Sequence, residues 1–193
     1  MSDFSPLLQT ARELGATDAA LIEPGKIVVK EELARMCFEP RCDGYGRSLS
    51  CPPHVGGPEA MRRWCREYRT ALVFLVEVPR EVAMSFERNE VLALIHEIAS
   101  GVERAAKQQF GAERARAFAG GSCKELFCSD YPECRVLDEK KPCRNPHLAR
   151  PSMSGHGIDV ARLQALAGWE TPDPKEKPKE GSMAYFTGLV LLD

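Results

Sequence analysis

At 193 residues and a net charge of −2, with acidic and basic side chains interleaved, the chain has no general pull toward nucleic acid or an anionic membrane. A chain of this length should bury roughly 70% of the surface it exposes when unfolded, so it folds without covalent staples. Eight cysteines therefore call for a reason other than stability.

The opening MSDFSPLLQTARELGATDAA has no basic start followed by an apolar run, so it reads as an amphipathic helix and not a secretory leader. Leu7, Leu8, Ala11 and Leu14 share one face of a helix over residues 4–14, which Gly15 ends. Residues 18–23 predict a short strand, Pro24-Gly25 a turn, and residues 26–30 a second short strand. Residues 31–36 make one or two helical turns. Residues 37–57 are rich in Cys, Gly and Pro without apolar periodicity, and so long an irregular stretch is uncommon unless it is functional. Residues 58–68 are helical, and TALVFLVEV at 70–78 is a strand buried on both faces, central in its sheet.

The strongest helix spans 86–110, with Val91, Leu94, Ile95, Ile98, Val102, Ala105 and Phe110 on the 3.6-residue period. Residues 116–119 form a short strand leading into Gly120-Gly121, and a second irregular cysteine-rich stretch occupies 120–157. A closing helix covers 158–167, TPDPKEKPKE at 171–180 reads as a mobile loop, and an alternating strand ends the chain at 183–192. The fold class is mixed α/β. A small sheet with flanking helices carries two irregular cysteine-rich loops, all within a single domain over 1–193. No apolar stretch is long enough to span a bilayer, which points to the cytoplasm. Thiols there serve metals or redox chemistry more often than structural bridges.

The cysteines fall into two sets. Cys37, Cys42 and Cys51 are spaced C-x4-C-x8-C, with Pro52-Pro53 following. Cys123, Cys128, Cys134 and Cys143 are spaced C-x4-C-x5-C-x8-C, with Pro146 just beyond, while Cys65 stands apart inside a helix. Thiolates that share a metal must converge, and loops bend that far where helices do not. Glycines such as Gly44, Gly46, Gly120 and Gly121 let backbone N–H groups approach the sulfurs, and prolines stiffen the loop. Tyr45, between two glycines, is placed to shield a cluster or donate a hydrogen bond. The irregular, proline-flanked spacing fits one or two iron–sulfur clusters of [4Fe-4S] type better than structural zinc, disulfides or inert buried thiols, which stay open as alternatives.

The segments CFEPRCDGYGRSLSCPP (37–53), CRNPHLARPSMSGHGIDV (143–160), ELGATDAALIEPGKIVV (13–29) and the terminal FTGLVLLD resemble those of predicted metal-binding proteins classed as a domain of unknown function, frequent in anaerobic bacteria and archaea. That resemblance implies iron–sulfur ligation by both cysteine sets and implies no established reaction. Relatives space the first cysteines of the second set more closely than the insertions 124–127 and 129–133 allow here, and they carry an acidic residue where this chain has Ser154.

The second set supplies four thiolates, enough to close a cluster; the first supplies three. His54 or Cys65 is then a candidate fourth ligand, unless a small-molecule substrate fills the open position. His156, in Ser-Gly-His-Gly, is placed to face the second set or an anion, whereas His96 reads as a half-buried surface residue of the long helix. The basic residues Arg135, Lys140, Lys141, Arg144 and Arg150 offset thiolate charge or dock an acidic redox partner protein. The expected functions are electron transfer to such a partner, small-substrate activation at the three-thiol set, or a zinc-bound interaction module. The chain carries no P-loop, G-x-S-x-G or H-E-x-x-H.

Overall fold

The computed structural model describes residues 3–170 and 181–193, so the expected loop at 171–180 lies outside the described residues. Four strands, β1 (Asp18–Ile22), β2 (Thr70–Pro79), β3 (Ala115–Phe118) and β4 (Met183–Leu192), form one antiparallel sheet in the order β1-β2-β4-β3. β4 runs antiparallel to both β2 and β3, so those two are parallel to each other, and parallel strands need a long crossover. The mixed α/β architecture is thus a split β-α-β unit, with the last strand filling the gap.

The helices are α1 (Pro6–Glu13), α2 (Glu31–Arg35), α3 (Gly57–Glu67), α4 (Arg80–Ala83), α5 (Arg88–Gln109), α6 (Cys123–Phe127), α7 (Arg135–Asp138) and α8 (Val160–Leu166). Alternation along β2 sorts them into layers. Leu72, Phe74 and Val76 face α1 and the crossover helix α5, packing on Leu7, Ile95, Ile98 and Val102. Ala71 and Val73 face the other way, onto Met61 and Cys65 of α3, Leu163 of α8, and Phe118, Met153 and Ile158. Gly188 of β4 lies directly against the Phe74 ring, where a Cβ has no room, so the central pairing needs glycine there.

Three sequence expectations change. Residues 26–30 do not form a strand: Pro24 seeds a 3₁₀ turn over Pro24–Lys26, and Val29 makes a single bridge to Ile158. β4 does not alternate: Met183–Phe186 are all half-buried where β2 alone pairs with them, and Leu189–Leu192 are buried because they sit between β2 and β3. The second cysteine stretch is not wholly irregular, since α6 and α7 lie within it. Among the described residues no helix is long and apolar enough to cross a membrane.

Candidate metal centre

The first cysteine stretch lies between α2 and α3 and the second follows β3; the two meet through Ser48, Ser50 and Ser122, and all eight cysteines are free thiols. Cys37, Cys42 and Cys51 line one hollow of about 260 Å³, together with Tyr45, Gly121 and Arg88. Local backbone bonds shape this wall: Cys42 N–H donates to Cys37 O at 3.1 Å, Tyr45 N–H to Cys42 O at 2.9 Å, and Cys51 N–H to Ser48 O at 3.2 Å. Tyr45 packs on Phe38 with ring centroids 5.6 Å apart, and Arg41 lies 5.6 Å over the Tyr45 ring. Burial raises the Cys37 pKa, and the neighbouring Cys42 and Cys51 raise it further. A cation that displaces those protons relieves both penalties.

Cys123, Cys134 and Cys143 line a second hollow of about 290 Å³. Cys128 joins them through Asn145, whose Nδ2 donates to Cys128 Sγ and whose N–H donates to Cys143 Sγ, both at 3.3 Å. The same Nδ2 holds Phe127 O at 3.2 Å. Lys124 is buried, with Nζ donating to Cys128 O at 2.7 Å and to Tyr131 O, which places a cation against the loop between two thiols. Water occupies about 30 Å³ per molecule in the liquid, so each hollow holds far more than a lone ion. Among the described residues no three His, Cys, Asp or Glu side chains converge on one ion's position.

Three buried serines separate the hollows. Ser48 Oγ lies 3.0 Å from Ser50 Oγ and 3.5 Å from Ser122 Oγ. Ser50 Oγ accepts from Cys123 N–H at 3.3 Å and sits 3.9 Å from Cys51 Sγ. Burial raises the Cys123 pKa, the Ser50 and Ser48 hydroxyls oppose that, and Cys51 and Cys143 add to it. Cys123 therefore feels thiols of both sets. Gly44 allows the close approach: a Cβ there would stand 3.0 Å from Ser122 Cβ and 3.5 Å from Cys51 Sγ.

The second stretch is pinned at both ends from α5. His96 Nε2 donates to Gly120 O and its Nδ1 accepts from Arg150 N–H, each at 3.0 Å. Burial pushes His96 down to about 4, so it remains a neutral imidazole. Glu103 accepts from Arg150 at 2.8 Å and from Ala117 N–H at 3.3 Å. His96, expected at the surface, is wholly buried because its helix face packs under residues 120–150.

Six of the seven loop cysteines line the two hollows, with Tyr45 and Gly121 on the first, and Cys128 adjoins the second through Asn145. Gly120 lines neither; its carbonyl serves His96. His54 lines the second hollow and not the three-thiol one. Cys65 packs in the core with Met61 and Leu163, where burial pushes its pKa up to about 11. His156 is buried beside the second hollow, its Nδ1 donating to Ser152 O at 2.8 Å, and burial lowers its pKa. The basic cluster is largely answered: Lys141 and Arg144 meet Glu139, and Arg150 meets Glu103. Asn145, Lys124 and the serine trio were not singled out from sequence; an Asn-Pro two residues after a cysteine is the one local sign of the first.

A profile described as "Predicted metal-binding protein (DUF2284)" matches residues 20–192. No curated protein and no solved structure matches the chain.

Proposed function

The chain belongs to the predicted metal-binding protein family DUF2284, and on that premise we propose that it holds two [4Fe-4S] clusters and passes electrons to a partner protein. Cys37, Cys42 and Cys51 would hold one cluster, and Cys123, Cys128, Cys134 and Cys143 the other. When bound, such clusters supply one-electron transfer at potentials set by their charge, burial and hydrogen bonds. The observation that carries the reading is the gathering of six thiols from two separate segments into two roomy hollows that meet at Ser50, with Cys128 tied to the second by Asn145.

The surrounding residues suit that role. Asn145 donates to two sulfurs of the second set, which withdraws charge from them. Tyr45 lines the first hollow and packs on Phe38, which gives that wall an aromatic surface. Lys124 and Arg150 bring positive charge to the second, where thiolates accumulate negative charge.

A second reading rests on the count in the first hollow. Three thiols leave one ligand position unfilled, and an open position is what distinguishes catalytic from structural sites in zinc enzymes. On that reading a small molecule binds there. Zinc in both hollows is the outcome that rejects both. Anaerobic purification followed by iron, acid-labile sulfide and zinc analysis decides. Iron and sulfide in equal amounts, with a visible absorption bleached by dithionite, support the proposal; a colourless zinc protein ends it.

A further inference from the structure

The second hollow carries a charge that no carboxylate in its wall answers. Two arginines, Arg116 and Arg150, line it, and among the described residues no Asp or Glu does. Arg150 is engaged by Glu103 at 2.8 Å and by the Pro146 and Ala149 carbonyls. Arg116 projects from the edge strand β3 and lies 4.2 Å over the Trp64 ring. Its Nε is buried without a hydrogen-bond partner, and among the described residues it forms no ion pair.

Stacking on an indole covers the flat face of a guanidinium and leaves the edge free, and that edge is the N–H fork that fits a carboxylate. His156 stands next to this pair, its ring centroid 5.5 Å from Trp64. A carbonyl only accepts, so the Nδ1 bond to Ser152 O puts the ring proton on Nδ1 and leaves Nε2 as an acceptor. The wall is otherwise largely apolar, with Leu49, Val55, Val136 and Pro146, and then the thiols Cys123, Cys134 and Cys143.

We propose that this hollow binds a small organic carboxylate beside the second cysteine set, its anion on the Arg116 fork and its apolar body against Trp64 and Val55. One free guanidinium balances one carboxylate and only half the charge of a phosphate dianion. The inference deepens the metal-centre reading and rests on it for what the ligand adjoins. It concerns binding alone, with no bond made or broken.

The test uses the full chain, purified anaerobically, with benzoate as probe and benzamide as its uncharged counterpart. Trp64 and Trp169 are the two indoles, so a Trp169→Phe protein reports on Trp64 alone. Benzoate is expected to shift its emission with saturation, and benzamide to leave it unchanged. Arg116→Gln is expected to weaken benzoate at least about tenfold in isothermal titration, with metal content unaltered. Equal response to benzoate and benzamide, or saturation by inorganic phosphate and not by benzoate, overturns the assignment. So does loss of metal in Arg116→Gln combined with no benzoate response in Trp169→Phe, since Arg116 is then a counter-charge to the metal centre. Saturable benzoate binding in a protein that holds zinc supports this inference while removing the cluster reading.

Discussion

The two cysteine hollows are held by different means. The first takes its three thiols from one short segment and is shaped chiefly by backbone bonds inside that segment, with Cys42 exposed. The second gathers four thiols over a longer stretch and is braced from α5 by His96 and Glu103 and from within by Lys124 and Asn145. A site fixed by its own loop can change shape without disturbing the rest of the protein. A site fixed by buried long-range bonds cannot. The contrast suits an adaptable centre joined to a rigid one.

The largest test of that contrast is removal of one thiol from each set. Cys51→Ser and Cys134→Ser are each expected to lower bound iron by about half, leaving the other site loaded. If either change empties both, the hollows form one centre. Next in size is His96. Its pKa of about 4 lies below the usual 6.5, so the unfolded chain binds the extra proton first as pH falls. The stability is complete above pH 6.5, declines between 6.5 and 4 by about 3 kcal/mol, and is flat below. Urea titrations across that range measure it. His96→Leu should remove this slope and, by unpairing Gly120 O and Arg150 N–H, cost about 2–5 kcal/mol at pH 7.

Smaller effects separate the sites further. Asn145→Ala deletes the side-chain donor to Cys128 Sγ and is expected to lower the potential of the second centre alone, on the order of 40 mV. Redox titration followed by electron paramagnetic resonance reads it; an equal shift in both signals would mean that Asn145 does not belong to one site. Ser50→Ala touches both walls and should move both signals, each by less than the Asn145 change, at a stability cost of about 1 kcal/mol.

The sheet and its large helices were legible because periodicity is a local property. The continuous apolar run of β2 marked a central strand, and the 3.6-residue pattern marked α5. Residues 26–30 misled because Val29 has strand character but finds only Ile158 to pair with. The thiols could be grouped from their spacing, yet their braces could not. His96 takes its bonds from positions 24 and 54 residues away, and no window around it reveals that it is buried. The charge on the later loop is answered partly by a neighbour, Glu139, and partly by Glu103, which lies 47 residues from Arg150 and meets it only in three dimensions. Arg116 is the converse case: in sequence it is one arginine in a short strand, and only the Trp64 stack sets it apart.

The position of β4 sets an order on maturation. Thr70 lies opposite Leu192 and Ala115 opposite that same leucine, so the sheet stays divided until the last strand has been made. Pairing across such a span is slow, because the loop must close before its contacts reward it. The cysteine stretches leave the ribosome well before the platform beneath them is finished. Inorganic cargo offered before that strand is in place would meet thiols on an unfinished platform, so insertion belongs after β4 has paired with β2 and β3.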